Sequence, residues 1–254
     1  MKIDSVLILA AGFGTRLKPY TDNLPKSLLP LNDTNPLRNL IEQSLKYISG
    51  AKIYINASYK AEKIIQEVTK FPVAKRPYII WERKPLGPAF TTTEFCNQSE
   101  GNVLVLHGDV FFSDTTFAEL AASIDKVTHD SSILLCHKKV KYSARSIITE
   151  QAGFVKSILE VSLHDSDQNS NIIDRTKKVW SSSGALVIKR NSLLNFTAEI
   201  GSSLSPSLIN YIANNENLYL EKCKGPRVSI DDENSYLNAI KLDQKDSKLF
   251  DRTI

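Results

Sequence analysis

Apolar positions along the first half of the chain alternate between short continuous runs and helical stripes. "SVLIL" (residues 5–9) is a run without polar breaks, the pattern of a strand covered on both faces. Leu37, Leu40, Ile41, Leu45 and Ile48 then recur at helical spacing. "KIYIN" (52–56) reads as a strand, and Ala61, Ile64, Ile65 and Val68 as a second helical stripe. "YIIW" (78–81), a helix over 87–96, "VLVLHGD" (103–109), a helix through Phe117, Leu120, Ala121 and Ile124, and "SSILLC" (131–136) continue the alternation. Strand following helix in this order predicts parallel crossovers. The expected fold is α/β: a Rossmann-like, doubly wound, mostly parallel mixed sheet with helices on both faces.

The second half is less regular. "GALVI" (184–188) and "RVSID" (227–231) read as strands. A helix is expected over 204–212 with Pro206 in its first turn, and a closing helix over 233–241. The polar stretch 164–178 reads as a loop, suited to a lid. The whole chain is expected to form a single domain, in two halves that meet at about residue 135.

Composition narrows the class. Hydrophobic residues make up 42% and charged residues 24% of the 254, ordinary for a globular protein. The net charge of +4 is spread over many lysines without a dense basic tract, which argues against nucleic-acid binding and suits a protein that handles phosphates. Cys96, Cys136 and Cys223 lie far apart with no CxxC, so free thiols in a reducing, cytoplasmic setting are expected. The histidines show no metal-ligand spacing. Asp4, the short apolar run, and Arg16 and Lys18 beyond it favour a buried first strand over a leader peptide. No run of 18 apolar residues exists, so no membrane-spanning helix is expected.

The segment after the first run carries the chemistry. Gly12 and Gly14 let the backbone approach a ligand and adopt positive φ, so that consecutive N–H groups form an anion nest. Arg16 adds a fork for phosphate and Lys26 a compact charge, while Pro19 and Pro25 stiffen the loop. A dinucleotide fingerprint would need glycine where Leu17 stands, and the Gly-Lys-Ser/Thr of a Walker loop is absent. Asp109 follows "VLVLHG" and Asp231 follows "RVSI".

In "LAAGFGTRLKPYTDNLPKSLLP" (9–30), "ERKPLGPA" (82–89), "VLHGDVFF" (105–112) and, more loosely, "VSIDDENSYLNAI" (228–240), the chain resembles the sugar-1-phosphate nucleotidylyltransferases. The resemblance implies a reaction between a nucleoside triphosphate and a sugar-1-phosphate, dependent on Mg²⁺. It implies that Leu9, Ala10, Ala11, Gly12, Gly14 and Thr15 hold the nucleotide. Arg16 would face the leaving pyrophosphate, and Lys26 would bridge the α-phosphate and the acceptor phosphate. Asp109 is implied as a metal ligand, with Asp231 as the second; Asp232 and Ser229 remain alternatives for that second place. Gly87 is implied near the base. His107, two residues before Asp109, either touches base or ribose or is a packed strand residue.

The resemblance makes residues up to about 135 a nucleotide-binding half and about 136–254 a sugar- or acceptor-binding half, where it points to Glu160, Ser183 and Gly184. Here the chain also departs from the family. Phe90 stands where glycine is frequent, which would reshape the pocket. Val161 follows Glu160 where many members carry a lysine, and Arg175, Lys177 or Lys178 are candidates to replace that cation. These departures keep two other readings open: transfer of CMP to a phosphorylated amino alcohol, and a non-catalytic nucleotide-binding regulator. The nucleotide base and the oligomeric state, a homodimer included, are left open.

Overall fold

The computed structural model describes residues 1–126, 131–138, 146–160, 179–190, 198–214 and 217–245. The first strand, β1 (Ser5–Leu9), lies between two parallel neighbours, β2 (Lys52–Ala57) and β4 (Val103–His107), with β3 (Tyr78–Trp81) outside β2. Its burial follows the unbroken apolar run: Val6, Leu7 and Ile8 are fully covered. Burying each such side chain stabilises by about 1.5–3 kcal/mol.

The two faces of the sheet have separate cores. Val6 and Ile8 of β1, with Leu104 and Leu106 of β4, pack on α1 (Pro36–Tyr47), α2 (Ala61–Val68) and α4 (Asp114–Lys126). Leu7, Val103 and Val105 point the other way, onto α3 (Pro88–Gln98) and α5 (Leu204–Ala213). This period-two partition is what a strand covered on both sides produces. Asn35 caps α1 by accepting from the Arg38 N–H at 2.8 Å, and Pro36 fills the first helical position, where its missing N–H costs nothing. The expected doubly wound arrangement is present, and Pro206 does lie in the first turn of α5.

Beyond β4 the ladder changes character. β9 (Trp180–Ile188) runs antiparallel between β4 and β6 (Ser132–Lys138). β10 (Leu218–Lys222) follows β6 in parallel, and an antiparallel pair, β8 (Phe154–Glu160) and β7 (Ser146–Gln151), completes the sheet. A separate two-stranded ribbon joins β5 (Val110–Phe112) to β11 (Arg227–Ser229). The strand expected over 227–231 stops at Ser229. There the Ile230 N–H bonds the Asp109 carbonyl at 3.0 Å, and the next residues enter the cap of α6 (Glu233–Lys245). Strands β5, β7, β8 and β10 are not anticipated by the apolar pattern. The segment expected as a loop over 164–178, with Arg175, Lys177 and Lys178, lies outside the described residues.

A third, small core sits under the glycine-containing loop. Leu17, Leu29 and Leu31 pack with Phe111, Val228, Ile230, Tyr236 and Ala239. The Tyr236 hydroxyl donates to the Pro30 carbonyl at 3.0 Å, and the Tyr59 hydroxyl to that of Thr21 at 2.8 Å. The loop is thereby pinned to the ribbon and to α6, and does not hang free. Among the described residues no helix is long and apolar enough to cross a membrane.

Candidate functional site

Strand order β3-β2-β1-β4 reverses direction at β1, so the crevice beyond the carboxyl ends of β1 and β4 is a topological switch point. In register, Leu9 stands between Asn56 and His107. A cavity of about 220 Å³ opens there, lined by Leu9, Ala10, Ala11, Gly12, Lys26, Gly87, His107 and Asp109, with Asn56 and Pro88. A larger one of about 830 Å³ adjoins it toward β6, β9 and β11, and shares Lys26, His107 and Asp109. Residues named from sequence for the nucleotide therefore converge, with two exceptions.

Gly14 and Thr15 line neither cavity. Gly14 is required by the fold. Its φ is 63°, and a Cβ there would lie 2.9 Å from Thr21 Cγ2, while its carbonyl accepts from the Thr21 hydroxyl at 2.9 Å. Gly12 is the opposite case. Its φ is not in the left-handed region and no protein atom stands within 4 Å of an added Cβ, so the protein itself does not demand glycine there. The Ala10 N–H is also not free for an anion, because it donates to Asn56 Oδ1 at 2.6 Å. Asn56 in turn donates to Glu82 Oε1 at 2.9 Å, and Glu82 accepts from the Thr91 hydroxyl and the Leu86 N–H. This buried chain ties the β1 loop to the 82–88 wall.

Gly87, with φ 93°, meets the Gly201 backbone at 2.8 Å from a hypothetical Cβ, so close packing between two loops already demands it. Phe90, expected to reshape the pocket, is half-buried on α3 and lines neither cavity.

The charged centre is compact. Lys26 Nζ donates to Asp109 Oδ2 at 2.5 Å and stands 3.5 Å from Asp231 Oδ1, with its side chain only 15% exposed. Asp231 also accepts from the Ser229 hydroxyl at 2.8 Å. Burial alone would raise the Asp231 pKa, but the Lys26 charge, the Ser229 hydrogen bond and the Arg16 charge together hold it below the usual carboxylate value. Asp232 is engaged elsewhere. It accepts from the Ser235 N–H at 2.8 Å as the cap of α6, while Ser235 Oγ accepts from the Asp231 and Asp232 N–H groups. Of the three alternatives, Asp231 alone faces Lys26. Arg16 is exposed on the rim of the larger cavity. His107 lies between the cavities, and burial pulls its pKa below the ordinary imidazole value against the nearby Asp109 charge, which favours the neutral ring.

On the acceptor side, Gly184 adopts φ 84° at an irregularity in the β6–β9 ladder, where a Cβ would strike Val110 Cγ2 at 2.7 Å. The bulge turns Ser181 and Ser182 into the larger cavity. Ser183 itself is fully buried and lies 3.3 Å from His137 Nδ1. Glu160 is the last residue of β8, and its side chain lies outside the described part of the structure.

Asn56, Glu82, His137 and Arg227 are absent from the residues named by sequence reasoning. Each is a polar or charged residue at the end of an apolar strand or the start of a short one, which is the signal that was available.

A family model described as nucleotidyl transferase matches residues 5–177. The bifunctional protein GlmU of Methanococcus maripaludis strain C7 is 35% identical over 127 residues, covering 48% of this chain and 30% of that protein. The D-glycero-alpha-D-manno-heptose 1-phosphate guanylyltransferase of Campylobacter jejuni is 34% identical over 123 residues, covering 48% of this chain and 54% of that one. This chain thus spans little more than half, or less, of the length of these relatives. A solved UDP-glucose pyrophosphorylase in complex with UDP-glucose superposes with a TM-score of 0.73 at 14% identity, over 96% of this chain and 99% of that one, a likeness of fold. With the family model covering more than half its length, this chain belongs to the nucleotidyl transferase family.

Proposed function

We propose that the cleft transfers a nucleotidyl group from a nucleoside triphosphate to a sugar-1-phosphate, with release of pyrophosphate and dependence on Mg²⁺. The observation that carries this is the Lys26 ammonium held between Asp109 and Asp231 at the switch point. The kinship with a heptose 1-phosphate guanylyltransferase supports a sugar-1-phosphate as acceptor.

The two carboxylates fit Mg²⁺. Both are hard oxygen donors, they come from separate segments, and they converge on one cation. Mg²⁺ ordinarily takes one or two protein carboxylates and leaves its other positions to water and phosphate. When bound, the ion supplies charge neutralisation to the triphosphate and polarises a phosphoryl oxygen.

The chain's own groups do the rest. Gly12 keeps the loop open to phosphate. Lys26 bridges the α-phosphate and the attacking acceptor oxygen, and Arg16 meets charge on the leaving pyrophosphate. The acceptor phosphate is already an anion, so no general base is needed; the neutral His107 orders the wall between the two substrates. Catalysis is then positioning and charge stabilisation.

Pyrophosphate release with a panel of nucleoside triphosphates and sugar-1-phosphates, with Mg²⁺ and with EDTA, tests the reading. Release that needs both a sugar phosphate and the ion is expected. Release with phosphocholine alone would replace it by the amino-alcohol reading, and nucleotide binding without turnover by the regulatory one.

A further inference from the structure

The larger cavity contains a second cation whose partners differ from those of Lys26. Arg227 and Ser229 share one face of β11 by strand alternation. Ser229 turns to Asp231, while Arg227 reaches toward β6, where its Nη2 lies 3.0 Å from both ring nitrogens of His137. Its Nε is buried and has no hydrogen-bond partner, and among the described residues the guanidinium makes no ion pair. Burial lowers its pKa, yet a guanidinium remains charged under any working condition. His137 does not compensate that charge. Burial first, and the Arg227 charge second, bring its pKa down to about 4, so it serves only as a neutral neighbour that orients the fork.

A buried cation without an anion is costly. Asp231 and Asp109 favour its charged form from a distance, without an ion pair to it. Asp109 and Asp231 share Lys26, and Asp232 caps α6. Ser181, Ser182 and Ser205 are part of its polar wall, and among the described residues no Phe, Tyr or Trp ring lines it. An ammonium-bearing acceptor would find a repelling charge and no aromatic cage.

We infer that Arg227 anchors a second negative group on the acceptor, a carboxylate or a second phosphate, in addition to the phosphate that attacks the nucleotide. Arg227 is three residues before Ile230, whose N–H bonds the Asp109 carbonyl, so its backbone stands about 10 Å of strand from that point. The carbon skeleton of the acceptor spans the serine wall between them. The inference rests on the nucleotidyl-transfer reading and specifies its substrate class.

The test measures kcat/KM for pyrophosphate release by the full chain with glucose 1-phosphate, glucuronic acid 1-phosphate, glucose 1,6-bisphosphate and phosphocholine. The wild type is expected to favour one of the doubly anionic acceptors by roughly 10- to 100-fold, the range of a charge-assisted contact. Arg227→Gln brings that ratio close to one through KM, and Arg227→Lys restores part of it. Preference for glucose 1-phosphate or phosphocholine, or an equal loss with every acceptor in R227Q, overturns the inference while leaving nucleotidyl transfer intact. Titration of the two doubly anionic compounds into wild type and R227K gives a second readout that needs neither turnover nor the harsher variant. Roughly tenfold weaker binding to R227K sustains the anchor, and equal binding overturns it. Absence of turnover with every acceptor would instead defeat the reaction assignment, and the titration would still decide the role of Arg227.

Discussion

The two ends of the cleft treat their cations differently. At the nucleotide end Lys26 is shared by two carboxylates at 2.5 and 3.5 Å. At the acceptor end Arg227 rests against a neutral imidazole with its Nε unbonded. A point charge that must exchange partners as phosphates arrive is kept paired, which limits the cost of its burial. In the proposed reading, the open fork is the one that recognises a planar or tetrahedral anion. The backbone repeats the contrast. The nucleotide end grows from parallel strands in unbroken register, and the acceptor end from an antiparallel strand with a bulge and a short ribbon.

The sharpest way to break this comparison is to remove the paired centre. Lys26→Ala and Asp109→Asn should each lower kcat about 10²-fold, about 3 kcal/mol of lost transition-state stabilisation, with the thermal transition retained. Turnover within threefold of wild type in pyrophosphate-release assays would take Lys26 and Asp109 out of the chemistry. Neighbouring acids should then separate. Asp231→Asn is expected to lose turnover by at least roughly tenfold. Asp232→Ala should keep its rate and lose about 1 kcal/mol of stability as an uncapped helix. The reverse pattern in rate and melting temperature would exchange their roles.

A smaller effect distinguishes the two loop glycines. Gly14→Ala should destabilise by about 1–2 kcal/mol, because its φ of 63° is left-handed and its Cβ would press on Thr21. Gly12→Ala should melt with the wild type yet raise KM for the nucleotide, since only a ligand contests that space. Equal melting temperatures for both variants would remove this distinction.

The last effect concerns the acceptor end and shows only in acid. An unfolded histidine takes up its proton near pH 6.5, as a rough reference, whereas folded His137 does so only at about 4. Between those values the unfolded state binds more protons, so stability falls as the pH falls. His137→Gln should flatten that part of the melting-temperature profile, and an unchanged slope would mean that His137 is protonated normally in the fold.

Much of the nucleotide end was legible in residue order. The apolar run of β1, the glycines and Lys26 are contiguous in sequence, and strand–loop geometry converts that contiguity directly into a site. Asp109 was legible for the same reason, as the first acid beyond a strand. The role of Gly14 was not, because a glycine needed for a ligand and one needed for a turn look identical until the neighbouring Thr21 is placed. Phe90, singled out by its place in a motif, lines neither cavity.

The sequence by itself determined the strand and helix alternation, the family, and the identity of the loop cations, since local periodicity and short motifs encode those. Only the tertiary structure decided which of Ser229, Asp231 and Asp232 meets Lys26, and that His137 and Arg227 stand together across 90 residues. Those outcomes depend on how an antiparallel ribbon and a bulged strand are laid against the sheet. Long-range pairing of that kind leaves no periodic trace in any one segment.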